Sequence, residues 1–239
     1  MKKIIFFLSI VSCIVVLSGC EKGSDYYYAK YLNEAEIAKP GKVDSIQILP
    51  GDNRALLRFR VGPDRRVTKL KVAYNTSLSN SINTKFIDLS GADYGSFSEV
   101  EIADIPEATL FVEVVSYNQA GDSSTTAPVV STIYGERYRS VLANRIFENI
   151  STVNGNKRIN FLEESNKPRD ATIFYPLQKT IVTYPLASGG TKTVELLLHS
   201  NFIVASDIAA SGEITHYSIY KPVPESIDVF NSNTATVTF

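Results

Sequence analysis

Between residues 43 and 133 the chain contains short segments in which apolar and polar residues alternate. This is the period of a β-strand with one buried and one solvated face. In residues 57–61, for example, Leu57, Phe59 and Val61 alternate with Arg58 and Arg60. Turn-forming residues separate the segments, as in PGDN at residues 50–53. The pattern predicts seven short antiparallel strands that pack as a β-sandwich.

The predicted strands of this first half differ in the strength of their signal. Strong alternation predicts strands around residues 43–48, 57–61, 70–74, 97–102 and 110–117, and a last strand that ends near residue 133. Residues 75–95 are richer in Ser, Asn and Thr, and their one apolar stretch is at residues 86–89. We therefore predict an edge strand with long loops there.

The second half, from residue 146 onward, repeats this pattern without repeating the sequence. Asn154-Gly155 is the strongest hairpin signal in the chain, and residues 188–190 supply a second hairpin turn. Strands are predicted around residues 146–153, 157–161, 171–174, 180–184, 191–198, 202–205, 214–219 and 227–230. The fold class is therefore all-β, with two tandem antiparallel β-sandwich modules, residues 40–134 and 146–239.

Residues 135–145 break the strand pattern between the two halves. Tyr138, Val141 and Leu142 fall at helical spacing, which predicts a short helical connector. The connector also contains Arg137, Arg139 and Arg145. We expect these arginines to pair with neighbouring acids and backbone carbonyls, and a ligand-binding patch is the alternative.

The N-terminus has the features of an export signal. Two lysines precede an apolar run at residues 4–17 that is too short to span a bilayer as a helix, and LSGC follows at residues 17–20. The stretch resembles a bacterial lipoprotein signal, which implies removal of residues 1–19 and lipidation of Cys20. An uncleaved membrane helix and a plain secretory signal are the alternatives. Several acyl chains would hold the protein firmly at a membrane.

Residues 20–39 are polar and of mixed charge, which predicts a flexible tether. The tether contains tyrosines at residues 26–28 and 31. These rings can pack on the first module, lie at the lipid interface, or stack on a sugar.

The composition excludes several function classes. Removal of residues 1–19 leaves 220 residues and changes the formal net charge from −1 to −3, because Lys2 and Lys3 are lost. This charge is not typical of a nucleic-acid-binding protein, so no nucleic-acid partner is expected. With Cys13 removed and Cys20 lipidated, no cysteine remains for a disulfide, a thiolate nucleophile or a zinc site.

Catalytic motifs are absent from the sequence. His199 and His216 are the only histidines. The sequence distance from each histidine to its nearest acidic residue does not match a metal-binding motif. There is no Gly-rich phosphate loop, no G-x-S-x-G and no H-E-x-x-H. We therefore predict no catalytic residue, no metal, no cofactor and no enzymatic activity. A hydrolase would require an acid pair about 5 to 10 Å apart in a cleft.

One turn offers candidate ligand-binding residues. Asn118 and Asp122 flank the turn that precedes the last strand of the first module, and their oxygens suit calcium. The alternative is a turn satisfied by its own side chains. Carbohydrate binding would usually rely on tryptophan, which the chain lacks, although its 13 tyrosines offer other aromatic surfaces.

The end of the first module resembles a fibronectin type III module. Ile105-Pro106 precedes the strand at residues 110–117, and an asparagine- and glycine-bearing turn follows. Phe111 stands at or near the position where that family usually has its corner tyrosine, whose hydroxyl a phenyl ring does not replace.

A second resemblance covers nearly the whole mature chain. PGKVDS at residues 40–45, PGDNR at 50–54, YGERY with LANR at 134–145 and YKPVPESIDVF at 220–230 are similar to an uncharacterised family of Bacteroidota lipoproteins, catalogued as a domain of unknown function. The resemblance implies two fibronectin-like modules on a lipid anchor in the outer membrane, facing the cell surface. It also implies the company of polysaccharide-uptake or surface-adhesion proteins.

The expected function is non-enzymatic binding or adhesion at the cell surface, toward a glycan or a surface protein complex. The alternative is a structural spacer or accessory subunit of an outer-membrane complex with no small-molecule ligand. Tyrosines exposed at one loop end would favour a glycan, whereas a broad apolar sheet face would favour a protein partner.

Overall fold

The computed structural model describes residues 39–91, 93–170 and 172–239. The predicted signal peptide, Cys20 and the tether up to residue 38 lie outside the described residues. No helix within those ranges is long and apolar enough to cross a membrane. Residues 39–239 form one compact unit that contains two hydrophobic cores.

The first core lies between two antiparallel sheets, which confirms the prediction of an antiparallel sandwich. Three strands form one sheet in the order β1-β2-β5, and four form the other in the order β4-β3-β6-β7. The strands are β1 Asp44–Pro50, β2 Ala55–Arg60, β3 Val67–Thr76, β4 Ser79–Asp88, β5 Phe97–Ile102, β6 Thr109–Asn118 and β7 Ala127–Thr132.

The alternation in β2 separates core from surface as predicted. Leu57 and Phe59 are fully buried. Their neighbours Arg58 and Arg60 lie on the other face, where they form ion pairs with Glu99 and Asp44 at 3.0 and 2.8 Å. Burial of the apolar face is the main stabilising contribution of such a strand, at about 25 cal/mol per Å².

Strand β4 is an edge strand, as predicted, but the expected long loops are wrong. It pairs with β3 from Thr76–Ser79 to Lys69–Asp88, so it begins directly after a tight turn and runs for ten residues. Nearly all its side chains are solvated on both faces. A strand with two wet faces lacks the apolar alternation by which its length is recognised.

The connector contains one short helix, α1 Glu136–Ser140, as the helical spacing predicted. The second core follows between a three-stranded sheet, β12-β9-β8, and a five-stranded sheet in which β10 and β11 pair with each other and β13 pairs with β10, β14 and β15. The strands are β8 Phe147–Val153, β9 Asn156–Phe161, β10 Leu177–Pro185, β11 Thr191–Leu197, β12 Phe202–Val204, β13 Glu213–Tyr220, β14 Phe230–Asn231 and β15 Ala235–Thr238.

Two strand predictions in this half are wrong. Residues 172–174 form a turn, in which the Asp170 carboxylate accepts hydrogen bonds from the Thr172 amide and hydroxyl at 2.9 and 2.8 Å; Ala171 lies outside the described residues. Only Phe230 of the predicted strand 227–230 is in a strand, since the preceding residues turn toward the first module. The sheet is closed instead by β15, which the sequence did not predict.

Candidate functional site: the junction between the two sandwiches

Three segments far apart in the sequence meet between the two cores. They are residues 50–54 at the β1–β2 turn, residues 134–139 at the start of the connector, and residues 226–230 before β14; together we call them the module junction. The Ile227 amide donates to the Pro50 carbonyl at 2.8 Å, and the Asn53 amide donates to the Tyr134 carbonyl at 2.8 Å. Backbone hydrogen bonds therefore join the first module to both other segments.

The Asp228 carboxylate is the centre of the polar contacts. It accepts hydrogen bonds from the Asp52 amide at 2.9 Å and from Nε and Nη2 of Arg54 at 2.9 and 2.6 Å. This two-pronged arginine–carboxylate geometry is the strongest kind of charged hydrogen bond. The Arg54 hydrogen bonds hold the pKa of Asp228 below its usual value. Arg54 also donates to Glu101 at 2.9 Å, which connects the pair to β5.

A second arginine links the connector to the same turn. Arg139 of α1 donates to the carboxylates of Asp52 and Glu136. On the other side of the helix start, the Glu107 carboxylate accepts the amides of Arg137 and Tyr138 at 2.6 and 2.8 Å. A carboxylate at this position satisfies amides that have no partner inside the helix.

An aromatic cluster lies beside the charged residues of the module junction. Tyr138 lies edge-on to both Tyr134 and Phe230, with ring centroids 5.1 Å apart in each pair. The Arg139 guanidinium lies 5.7 Å from the centroid of the Phe230 ring. Burial raises the pKa of the Tyr134 and Tyr138 phenols. The cluster joins connector and second module through apolar contact as well as charge.

Two glycines allow the close approach of these segments. A Cβ atom on Gly51 would lie 2.3 Å from Oδ2 of Asp228 and 2.9 Å from Cγ1 of Ile227. A Cβ atom on Gly135 would lie 2.7 Å from Oδ1 of Asn53. All three distances are far below van der Waals contact, so a Cβ atom at either position would force the neighbouring residue to move.

The C-terminal end of the connector is held by the second module. Arg145 is buried, and its guanidinium donates to the carbonyls of Ser200, Leu197 and Leu162 at 2.7, 3.3 and 3.3 Å. Nε2 of His216 lies 3.0 Å from the Arg145 carbonyl. Burial lowers the pKa of both side chains. The connector is thus fixed at both ends.

Tyr220 adds a further bond at this end. Its hydroxyl donates to the Ala143 carbonyl at 2.6 Å, and burial raises the pKa of Tyr220 to about 12. The Ser232 hydroxyl donates to Oδ1 of Asn144 at 2.6 Å. Tyr220 of β13 and Ser232, which follows β14, therefore hold the connector through their side chains.

The expectation for the three connector arginines is met by the side chains of Arg139 and Arg145 but not by that of Arg137, which has no acid or carbonyl partner among the described residues. Arg139 pairs with acids and Arg145 with carbonyls, while the backbone of Arg137 contacts Glu107. Of the two histidines, His216 is a core residue of β13 that lies edge-on to Phe161. His199 lies in the turn after β11 and lines a shallow cavity of about 390 Å³ with Ile173 and Phe174.

The candidate ligand residues Asn118 and Asp122 bond to each other. Nδ2 of Asn118 donates to Oδ2 of Asp122, and the Asp122 amide donates to Oδ1 of Asn118, both at 2.8 Å. Asn118 also lines a shallow cavity of about 370 Å³ beside Lys69 and Phe86. In the described part of the chain no group of three or more His, Cys, Asp or Glu side chains is placed to hold a metal ion. A ligand-binding role for Asn118 and Asp122 stays a prediction.

The surfaces of the modules differ from what aromatic sugar binding would require. The nine tyrosines after residue 38 are all buried or half-buried. By contrast, the outer face of the β4-β3-β6-β7 sheet exposes apolar side chains, including Phe86, Phe111 and Val130. Phe111 is 41% exposed and lies opposite Val130 on this face, so it does not occupy a corner position in the core.

The fold and the junction define a protein of two antiparallel β-sandwiches joined by a fixed connector. The chain belongs to the family described as a domain of unknown function, DUF4998, whose sequence model matches residues 20–230. None of the curated proteins compared with the chain matches it.

Two solved structures resemble the chain at 11% sequence identity. One is a two-domain fibronectin type III segment of chicken tenascin, with a TM-score of 0.35, which covers 83% of this chain and 99% of that one. The other contains the first three fibronectin domains of chicken CNTN1, with a TM-score of 0.42, and covers 84% of this chain and 67% of that one.

Proposed function

We propose that this protein is a non-enzymatic binding or adhesion protein of the cell envelope, anchored by lipid at Cys20, that presents two β-sandwiches as one rigid body. The observation that carries the proposal is the module junction. Asp228 and the Ile227 amide of the second half bond directly to Arg54, Asp52 and Pro50 of the first half. A flexible linker between independent modules would have no such contacts.

The charged groups of the junction support a structural role over a catalytic one. Asp228, Asp52 and Glu136 each accept hydrogen bonds from an arginine. The Arg54 hydrogen bonds hold the pKa of Asp228 below its usual value, whereas a general acid or base needs a pKa near the working pH and access to substrate.

The exposed surfaces favour a protein partner over a glycan. None of the tyrosines in the described ranges is exposed, so they offer no platform for sugar stacking. The exposed rings on the outer face of the four-stranded sheet are those of Phe86 and Phe111, and they lie among other apolar side chains. The apolar residues on the outer face of the four-stranded sheet are of the kind that protein partners cover. The partner we propose is therefore a surface protein or protein complex, with a polysaccharide as the alternative.

The rigid junction also suits a second function, that of a structural spacer or accessory subunit of an outer-membrane complex. In that case the fixed angle between the modules would set the position of the complex, and the apolar outer face would bind no ligand.

Binding assays on residues 39–239 separate these functions. We expect capture of a defined surface protein and no signal on a glycan array. Phe111→Lys, on the outer face, should abolish the capture, and Val204→Lys, an exposed valine of the second module, should leave it unchanged. Binding to one polysaccharide class would contradict the protein-partner proposal, and no binding in either assay would favour the spacer.

The anchor has its own test. Metabolic labelling with a fatty acid should mark the wild-type chain, and Cys20→Ala should remove the label and release the protein from the membrane fraction. A Cys20→Ala variant that stays labelled and membrane-bound would contradict the lipoprotein proposal. Cys13→Ala is the matched control, because Cys13 lies in the segment that cleavage would remove.

A further inference from the structure

Strand β4 presents one complete edge to solvent. It pairs with β3 along one side, and no described strand pairs with its other side. Nine of its ten side chains are exposed. The amide and carbonyl groups on the free side of an edge strand offer a ready template for another strand.

This edge lacks proline and glycine, and Lys85 is its only basic residue. The opposite edge of the same sheet, β7, is six residues long and carries Pro128. Strand β1, an edge of the other sheet, has a register irregularity between Asp44 and Gln47. The pairing of β4 with β3 is also irregular between Ser79 and Asn83, but it is continuous from Asn83 to Asp88. This regular part of the free edge suits pairing with a partner strand.

The side chains of β4 are complementary to a second copy of the same strand. Ile87 pairs with the buried Leu70 and faces the core, so Thr84 and Phe86 in the same regular stretch lie on the outer face. Ile82, which comes just before this stretch, is also exposed. In antiparallel self-pairing centred on Thr84, Ile82 of each copy lies opposite Phe86 of the other. Two apolar residues that are 69% and 59% exposed would thereby cover each other twice.

The charge of Lys85 selects this register. Centred on Thr84, the pairing places Lys85 opposite Asn83 of the second copy. A register centred on Lys85 would place two lysines directly opposite each other, which is destabilising. A register centred on Asn83 would place Ile82 opposite Thr84 and Phe86 opposite Asn80, which separates the apolar pair.

We propose that two copies of this chain associate along β4, antiparallel and centred on Thr84, so that two four-stranded sheets become one eight-stranded sheet. The contact is closed and two-fold symmetric, so it produces a dimer and not a filament. This self-association goes beyond the proposed function, and it would double the number of binding surfaces that one assembly presents.

Disulfide trapping tests the register directly. Residues 39–239 contain no cysteine, so an introduced thiol is unique. Directly opposed residues have Cβ atoms about 4.5–5.5 Å apart, near the separation of about 3.5–4.5 Å in a disulfide. Under mild oxidation Thr84→Cys should form a covalent dimer. Thr132→Cys, an exposed threonine on the opposite edge strand β7, should stay largely monomeric.

Sedimentation of residues 39–239 tests the association without cross-linking. The unmodified chain should show a monomer–dimer equilibrium that depends on concentration. Ile82→Lys should weaken dimerisation about tenfold, since two symmetric apolar pairs are lost. Val130→Lys on β7 should have no effect. The proposal would be overturned if the chain were monomeric at every concentration, or if Ile82→Lys dimerised as well as the unmodified chain. Equal cross-linking of the Thr84→Cys and Thr132→Cys variants would also overturn it.

Discussion

Asp228 holds together residues that are more than 170 positions apart. Its carboxylate receives three hydrogen bonds from Asp52 and Arg54, and each partner lies in the first module. Removal of one partner from such a group leaves the other charge partly desolvated and unpaired, which is more costly than the net gain from the pair itself. The junction is therefore more sensitive at this residue than its modest burial suggests.

Replacement of Asp228 by asparagine should lower the free energy of unfolding by about 1–3 kcal/mol, because the neutral amide removes one of the two counter-charges of Arg54 and leaves only Glu101. Urea denaturation measures the change. The control is Asp88→Asn, since Asp88 is an exposed residue that meets Lys69 at 3.4 Å, and its loss should change stability by no more than about 0.5 kcal/mol. Equal effects of the two variants would contradict the assigned role of Asp228.

The pH dependence of stability tests whether His216 is buried in the folded chain. Burial lowers the pKa of His216 in the folded chain, so the unfolded state binds a proton first as the pH falls. The neutral His216 ring contributes fully to the free energy of unfolding above the pKa of the unfolded state, about 6.5. This contribution is lost as the pH falls toward the lower pKa of the folded state. Stability should therefore decrease as the pH falls below about 6.5.

Denaturation of His216→Gln and His199→Gln at several pH values measures this slope. The slope should flatten in His216→Gln and persist in His199→Gln, because His199 lies in a surface turn. If the pH dependence of stability were lost in His199→Gln and kept in His216→Gln, His216 would not be the group that causes it.

At the scale of elements, the alternation of apolar and polar residues predicted strands that have one buried and one solvent-exposed face. Strand β2 is the clearest case, since Leu57 and Phe59 are buried and Arg58 and Arg60 solvated. For β4, which is solvated on both faces, the pattern predicted an edge strand but not its length, and it missed β15, a short strand that pairs with β13. Strand β13 was predicted at residues 214–219, although its inward face carries the polar residues His216 and Ser218.

Gly51 makes the close approach of the β1–β2 turn and residues 227–228 possible. Gly51→Ala should destabilise the chain by about 1–3 kcal/mol, because a Cβ atom 2.3 Å from the Asp228 carboxylate forces the two segments apart. Thermal or urea denaturation measures the effect. Gly62→Ala is the matched control, because its Cβ atom would have no neighbour within 4 Å, and we expect a change within about 0.5 kcal/mol.

At the scale of the whole molecule, the sequence predicted two sandwiches and a helical connector but not the contact between them. The Arg54–Asp228 bond spans 174 positions, and no local period carries information about such a pair. One signal did exist: three of the stretches that carry the family resemblance, residues 50–54, 134–145 and 220–230, meet at the junction.

The central claim is that the junction makes the two sandwiches one rigid body. It is tested most directly by the distance between spin labels at Gln119→Cys in the first module and Ser188→Cys in the second, in residues 39–239 diluted with unlabelled protein. Both positions are exposed in turns, and no other cysteine is present.

We predict one narrow distance distribution, which broadens when Arg54 and Arg139 are both replaced by alanine. Arg58→Ala, which removes an ion pair within the first module, should leave the distribution narrow. A broad distribution in the intact chain, or one that the double substitution does not change, would contradict the claim that these contacts fix the two modules.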